Sequence, residues 1–226
     1  MATATGSFVL IHGAGDVGWY WHLVARELRA KGHDVVAPDL PCEDESAVWS
    51  DYAEAVIEAI GERGDLIVVA QSFGGFTAPL VCARRPARLV VLVAGMVPRP
   101  GETANEYWAN TGYANAPRHP DATDDIGVFY HDVPRELAHE AQRHGRRQAE
   151  SIGDEPWPLE RWPDVPVRFL LARDDRMFPA VWLRGVVEDR LGLLPDEIDG
   201  GHCPALGRPA ELAKRLEVYR AETAGP

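Results

Sequence analysis

One serine of this chain stands at a sharp change in local sequence. In "VVAQSFGGFTAP", residues 68–79, an apolar run leads through a polar pair into two glycines and then a helix-like segment. Ala70 and Gly74, two residues before and after Ser72, are both small, as a strained strand–turn–helix requires. Such a turn would push the Ser72 hydroxyl clear of the backbone, towards a base. Ser72 is therefore a candidate nucleophile; the alternative is an ordinary serine that caps a helix.

The elements around this turn follow a regular alternation. Buried apolar runs predict strands over 7–13, 34–41, 66–70 and 88–95. Apolar residues at helical spacing between them predict helices over 21–32, 46–61 and 76–86. This alternation predicts an α/β fold of three layers, with a doubly wound, mostly or wholly parallel sheet of about six strands.

The alternation stops at residue 96 and resumes at residue 165. Residues 96–164 are rich in Pro, Asn, Asp, His and aromatic residues, with one helix predicted near 133–149. After them we predict strands at 165–172 and 196–201, a helix at 179–191 and a closing helix from Arg208. We therefore expect a core formed by 1–95 and 165–226, with 96–164 as a lid inserted after the fourth strand.

Composition excludes several classes of protein. The 226 residues carry a formal net charge of -12, which argues against a nucleic acid or an anionic membrane as partner. Cys42, Cys82 and Cys203 lack CxxC spacing, as expected of free thiols in a reducing compartment. No basic leader and no long apolar run is visible, so we expect neither a signal peptide nor a membrane span, and a cytoplasmic location.

Four motifs along the chain resemble those of the α/β-hydrolase family. "AQSFGG" (70–75) is similar to the nucleophile elbow G-x-S-x-G, with Ala70 in place of the first glycine. "LIHGAG" (10–15) resembles the family's oxyanion loop. "DDRMFP" (174–179) and "GGH" (200–202) resemble its acid and histidine loops, and the order Ser, Asp, His is the one this fold uses.

The resemblance implies a serine hydrolase whose catalytic residues are Ser72, His202 and Asp175. Asp175 fits the family pattern D-x-x-x-P through Pro179, and Asp174 is the rival acid. His202 would take the serine proton during attack on an acyl carbon, and Asp175 would orient and stabilise the imidazole. Water activated by the same histidine would then hydrolyse the acyl-enzyme.

The resemblance also implies an oxyanion hole. The backbone N–H groups of Ala14 and Phe73 would face the developing charge, and each such donor contributes about 10² to 10³ in rate. The alternative for "HGAG" is an ordinary glycine turn, and we interpret His12 as structural. This chemistry requires neither a metal nor an organic cofactor, so none is expected.

Aromatic residues between 96 and 164 are candidates for the wall of a substrate pocket. The candidate pocket residues are Gly13, Trp108, Phe129 and Tyr130. The alternative is that the aromatic residues form the small core of the lid itself. His131 and Asp132 could also face the pocket, whereas Cys203 is interpreted as a packing residue. The expected substrate is a small, largely apolar ester.

Within the family, "FVLIHGA", "GWYWH" and "APDL" are most similar to the small-lid esterases, a group that includes plant hydroxynitrile lyases and methyl-ester hydrolases. By this resemblance, the first hairpin of the full fold is expected to be missing. The lyases use a threonine after the histidine of the strand-end motif and a lysine in the lid. Here that position is Gly13, and residues 96–164 contain no lysine, so cyanohydrin cleavage is disfavoured.

The preferred hypothesis is a carboxylesterase that uses a small-molecule substrate, with no nucleic-acid or membrane partner; a homodimer is a candidate assembly. One alternative is a noncatalytic small-molecule receptor on the same fold. Another is a cofactor-free perhydrolase or C–C hydrolase that uses the same three residues. A receptor would bind its ligand without turnover, whereas either enzyme would convert its substrate.

Overall fold

A six-stranded parallel sheet forms the centre of the protein in the computed structural model, which describes residues 5–223. The strands are β1 (Ser7–Ile11), β2 (Asp34–Val36), β3 (Leu66–Gln71), β4 (Ala87–Val93), β5 (Val167–Ala172) and β6 (Asp196–Ile198). Their order across the sheet is β2-β1-β3-β4-β5-β6, and every neighbouring pair is parallel. The predicted fold class is confirmed.

Helices cover both faces of this sheet. They are α1 (His22–Ala30), α2 (Trp49–Ile60), α3 (Gly74–Arg84), α4 (Ala104–Asn110), α5 (Asp125–Phe129), α6 (Arg135–His144), α7 (Ala180–Leu191), α8 (Pro204–Gly207) and α9 (Pro209–Thr223). Val9 and Ile11 of β1 pack in one apolar layer with α2, α3 and α7, whereas Phe8 and Leu10 pack in the other with α1 and α9. The side-chain alternation of a strand thus supplies both layers of the core.

Several predicted elements are longer than the observed ones. The second strand ends at Val36 rather than extending to 41, and Pro38 lacks the N–H that a further ladder bond would need. The first strand ends at Ile11, before the His12 side chain turns to bind backbone groups. The predicted helix over 133–149 is confined to α6, where Gly145 follows the last turn.

Two helices between β4 and β5 were missed. Helix α4 begins with a capping box, in which Thr103 Oγ1 accepts from Glu106 N and a Glu106 carboxylate oxygen accepts from Thr103 N, both at 3.0 Å. Helix α5 begins where Asp124 Oδ1 accepts from Gly127 N at 2.7 Å. The pattern T-x-x-E is visible in the sequence and is the signal that could have located α4.

We call residues 96–164 the β4–β5 segment. Their separation as a lid from a core of 1–95 and 165–226 stays a prediction, and residues 1–4 and 224–226 of that core lie outside the described part of the chain. Tyr107 and Trp157 of the segment are buried within the same apolar layer as α2 and α3. Within residues 5–223, no helix is both long and apolar enough to span a bilayer.

Candidate active site

The turn after β3 holds Ser72 in a left-handed backbone conformation, with φ of 50°. The Ser72 carbonyl oxygen accepts from Gly75 N at 3.0 Å and from Met96 N at 2.8 Å. A Cβ atom on Gly75 would lie 2.0 Å from Met96 O, and one on Gly74 would lie 2.7 Å from His12 O. The backbone therefore approaches this turn from two sides, which leaves room for glycine alone at both positions.

Ser72, His202 and Asp175 lie within hydrogen-bonding distance of one another. Ser72 Oγ lies 3.0 Å from His202 Nε2, and His202 Nδ1 lies 2.8 Å from Asp175 Oδ2. The other oxygen, Asp175 Oδ1, accepts from Met177 N and Phe178 N, each at 2.8 Å. As a carboxylate, Asp175 only accepts hydrogen bonds, so Nδ1 carries the proton and the lone pair of Nε2 faces the serine hydroxyl. This arrangement can withdraw a proton from Ser72.

The structure distinguishes the two candidate acids by position. Asp175 and His202 are both buried, and their side chains are in contact. Asp174 is exposed, and its carboxylate accepts from Gly200 N at 3.3 Å rather than from the imidazole. Asp175, not Asp174, is the residue that the fold brings to His202.

Gln71 links the serine turn to the histidine loop, a contact that sequence reasoning missed. The buried Gln71 Nε2 donates to His202 O at 3.1 Å. A Cβ atom on Gly13 would lie 2.5 Å from Gln71 Oε1 and 3.1 Å from Ser72 Cβ. The Gln71 amide thus fills the space beside Gly13, and no local pattern in the sequence indicates a contact across 131 residues.

His131 and Asp132 lie behind the acid and histidine loops rather than in the pocket with Ser72. Asp132 Oδ2 accepts from Gly201 N at 2.9 Å, and His131 Nε2 donates to Asp174 O at 3.0 Å. The suggestion that these two residues face the pocket is wrong. They instead connect the β4–β5 segment to the backbone on either side of the site.

The two residues proposed as oxyanion donors lie at the end of a strand and at the start of a helix. Ala14 lies in the turn after β1, and Phe73 is the N-cap residue of α3. Leu40 N donates to His12 Nε2 at 3.0 Å, so His12 Nδ1–H donates to Gly13 O at 2.8 Å. Burial lowers the pKa of His12 to about 4, which keeps it neutral. His12 thus holds the loop that carries Ala14 in place.

A pocket of about 580 Å³ opens at the Ser72 hydroxyl. All the candidate pocket residues line it, namely Gly13, Trp108, Phe129 and Tyr130, as do Ala14, Phe73 and His202. The ring of Phe178 stands edge-on to His202, with centroids 4.8 Å apart. Polar side chains share the wall, among them Asp16, Asp125, Gln142 and Arg146. The pocket is therefore not uniformly apolar.

A second depression, of about 710 Å³, lies on the far side of the acid loop. Asp175 lines it, but neither Ser72 nor His202 does, so the larger cavity contains no nucleophile–base pair. Within residues 5–223, no group of three or more His, Cys, Asp or Glu side chains has the arrangement of a metal site.

Sequence comparison relates the chain to plant proteins over nearly its whole length. The profile of the alpha/beta hydrolase family matches residues 8–215. Methylesterase 7 of Arabidopsis thaliana is 26% identical over 248 residues, which cover 92% of this chain and 94% of the relative. Norfluorocurarine synthase 2 of Strychnos sp is 33% identical, over 92% of this chain and 93% of its own.

Structural comparison gives the same architecture. Polyneuridine aldehyde esterase superposes with a TM-score of 0.81 at 21% identity, covering 96% of this chain and 99% of the other. A pyrethroid hydrolase from Sphingobium faniae superposes with a TM-score of 0.75 at 20% identity, over 96% and 98% of the two chains. At such identities the likeness establishes the shared fold.

Proposed function

This chain belongs to the alpha/beta hydrolase family and is an enzyme that acts on esters, and we propose that it is a serine esterase that forms an acyl-enzyme on Ser72. The observation that carries the proposal is the 3.0 Å contact between Ser72 Oγ and His202 Nε2, with Asp175 Oδ2 2.8 Å from the other ring nitrogen. The family resemblance read from the four motifs is confirmed.

The proposed reaction runs in two halves. His202 Nε2 takes the Ser72 hydroxyl proton while Oγ forms a bond to the acyl carbon, and the carbonyl π electrons move to the oxygen. The N–H groups of Ala14 and Phe73 donate to that oxygen. The imidazolium, stabilised by Asp175, gives its proton to the departing alkoxide as the ester C–O bond breaks. Water then attacks the acyl-enzyme by the same steps and frees the acid and Ser72.

Two features support a hydrolase over a cyanohydrin lyase. The space that a side chain at Gly13 would need is occupied by Gln71 Oε1, 2.5 Å from the position of a Cβ atom. The β4–β5 segment offers no lysine to the pocket. An α-hydroxynitrile lyase of Arabidopsis thaliana is among the relatives, at 24% identity. The distinction therefore rests on these two positions and not on overall similarity.

The β4–β5 segment supplies the proposed lid over a core formed by 1–95 and 165–226. Trp108, Phe129 and Tyr130 reach the pocket wall from it and would cover a substrate bound at Ser72. Cys42, Cys82 and Cys203 are free thiols, which supports the proposed cytoplasmic location. A small ester is the proposed partner of the site.

Active-site labelling tests the proposal directly. A fluorophosphonate probe should label Ser72, and Ser72→Ala should abolish both labelling and turnover of p-nitrophenyl butyrate. Ser50→Ala, on the exposed side of α2, is the matched control and should retain both. Undiminished turnover in Ser72→Ala would refute the acyl-enzyme. Turnover of p-nitrophenyl esters of increasing acyl length then shows how long an acyl chain the pocket accepts.

A further inference from the structure

The pocket wall carries a carboxyl group that the proposed reaction does not use. Asp16 lies in the turn between β1 and α1 and lines the same pocket as Ser72 and His202. Asp16 Oδ1 accepts from Val17 N at 2.8 Å. Within residues 5–223, Asp16 Oδ2 has neither a hydrogen-bond donor nor an ion-pair partner and is not fully buried. One oxygen of this carboxyl group is therefore free to meet a ligand.

The charges around Asp16 do not neutralise it. Arg146, the cation on the pocket wall, lies 3.1 Å from Asp39 and 3.9 Å from Glu43, so two other carboxylates already share its charge. Asp125 adds a second carboxyl group to the wall. The pocket thus has more negative than positive charge, as does the chain as a whole, with its net charge of -12.

Three further titratable neighbours of Asp16, two hydroxyl groups and one thiol, are neutral near pH 7. Burial raises the pKa values of the Tyr20 and Tyr130 hydroxyl groups and of the Cys203 thiol well above their usual range, and Asp16 contributes to each increase. Burial also raises the pKa of Asp16 itself to about 7, with a further contribution from Asp39. A partly desolvated carboxylate without a cation gains much from a positive charge placed beside it.

The aromatic residues of the pocket wall suit the same kind of ligand. Trp108, Phe129 and Tyr130 present aromatic rings to the pocket, and aromatic faces attract ammonium groups. We propose that Asp16 recognises a positively charged nitrogen on the substrate, so that the preferred ester carries a protonated or quaternary amine away from the scissile bond. This inference rests on the proposed esterase function and replaces the largely apolar substrate with an amphipathic one.

Three butyrate esters test this recognition. Their alcohols are choline, its neutral isostere 3,3-dimethylbutanol, and a hydroxyl-terminated alcohol of similar length. We expect kcat/KM at pH 8 to favour the choline ester over the neutral isostere by at least about tenfold, as for a close ion pair. Preference for the hydroxyl ester, or no preference, would overturn the proposal.

The ratio of kcat/KM for the choline ester to kcat/KM for the neutral ester distinguishes the pH dependence due to Asp16 from that due to the general base. Both esters need the same general base, so its contribution cancels in the ratio, whereas ionisation of Asp16 does not. Because the pKa of Asp16 is about 7, the carboxylate is lost below that pH. The ratio should fall by up to about tenfold between pH 8 and pH 6. A ratio independent of pH would contradict recognition by Asp16.

Asp16→Asn provides the matched variant, because its amide oxygen can still accept from Val17 N. The ratio should fall at least about fivefold in this variant, since it compares two nearly isosteric groups that differ only in charge. Glu58→Gln removes an equal charge from the exposed face of α2 and should leave the ratio unchanged. An unchanged ratio in Asp16→Asn overturns the proposal, and a thermal melt verifies that the variant is folded.

Failure of the esterase proposal has a different signature. If none of the three esters is hydrolysed by the wild-type protein, the proposed function fails for these substrates. Calorimetric titration with choline and with 3,3-dimethylbutanol then tests the cation site directly. Binding of choline alone, lost in Asp16→Asn, supports the site, whereas binding of neither or of both equally overturns it.

Discussion

The serine turn and the β4–β5 segment are held largely by different kinds of contact. At the end of β3, backbone groups hold Ser72: its N–H donates to Val93 O at 3.3 Å, and its carbonyl oxygen accepts from Gly75 N and Met96 N. Side chains supply many of the contacts that attach the β4–β5 segment to the rest of the protein, beside a few backbone bonds such as that from Arg146 N to Gly15 O at 2.7 Å. Trp157 Nε1 donates to Phe76 O at 2.9 Å.

Further side-chain anchors follow the same principle. Trp49 Nε1 of α2 donates to Glu155 O at 2.9 Å. Arg190 of α7 pairs with Glu102, and both side chains are only 2% exposed. Backbone contacts leave no tolerance for added atoms, whereas each side-chain anchor can be removed singly. We therefore expect a single substitution in the serine turn to cause a large loss of stability, and removal of one anchor of the β4–β5 segment to cause a smaller loss.

The largest expected effect comes from adding one methyl group to the serine turn. The Cβ atom of Gly75→Ala would lie 2.0 Å from Met96 O and 2.9 Å from Met96 N, and backbone atoms cannot rotate away. We expect a loss of more than about 4 kcal/mol of unfolding free energy, or no soluble protein. Urea denaturation of the purified variant provides the measurement.

The control for this variant is Gly185→Ala in α7, where a Cβ atom meets nothing within 4 Å. Alanine in a helix interior should stabilise the protein by about 0.5–1 kcal/mol. If Gly75→Ala and Gly185→Ala unfolded at the same urea concentration, backbone contact would not be what holds the serine turn.

Removing one buried anchor of the β4–β5 segment should cost less. Glu102→Gln leaves Arg190 buried without its counter-charge, although Arg190 still donates to Val97 O. We expect a loss of about 3 kcal/mol in unfolding free energy, at the lower end for a broken buried pair. Asp189→Asn removes the exposed pair with Arg99 and should cost below about 1 kcal/mol. Equal losses in both variants would mean that burial of the pair is irrelevant.

The pH dependence of this anchor follows from the same contacts. Burial alone would raise the pKa of Glu102, but hydrogen bonds from Arg190, Asn110 and Arg99 N outweigh it and lower the pKa below 4.5. A lowered folded-state pKa means that the stabilisation is complete above the unfolded value and is lost as pH falls through the folded value. The stability gap between wild type and Glu102→Gln should be constant near neutrality and narrow below pH 4.5. A gap that widened in acid would contradict the assignment.

These differences also explain what was predictable from sequence. The serine turn depends on small residues close to Ser72, so a short motif reveals it, and the apolar periodicity of β1 to β4 reveals the sheet. Gln71 and Asp132 contact the His202 loop from 131 and 69 residues away, and such contacts leave no local pattern. The β4–β5 segment is hard to predict because a few long-range anchors, rather than continuous periodicity, determine its path.

A smaller effect is expected where the β4–β5 segment supports the histidine loop. Asp132 is a positioning residue, because its carboxylate contacts Gly201 N rather than the pocket. Asp132→Ala should lower kcat/KM by about 10- to 100-fold. Most of the loss should be in kcat, because displacement of His202 weakens proton transfer. Asp132→Asn, which can still accept from Gly201 N, should recover most of the loss.

The control for Asp132 is Asp164→Ala, an exposed carboxyl group of the same segment. This surface change should alter kcat/KM by no more than about twofold. A purely structural role for Asp132 would lower the melting temperature without moving the pH profile of kcat/KM. A profile displaced in Asp132→Ala and restored in Asp132→Asn would locate the effect at His202.

The smallest effect is expected at Cys203, which follows His202 in the chain and lines the pocket. Burial raises the pKa of this thiol well above its usual range, and the charges of Asp16, Asp175 and Asp132 raise it further. A thiol without thiolate character is a poor nucleophile, so Cys203 should act by packing alone. Cys203→Ala should change kcat/KM by less than about threefold, and native protein at pH 8 should not react with a thiol reagent at this residue until it unfolds. If Cys203 were labelled rapidly, and labelling removed as much activity as Ser72→Ala does, Cys203 would instead be a second nucleophile. Reactive chemistry would then lie in the loop that carries His202 as well as in the serine turn.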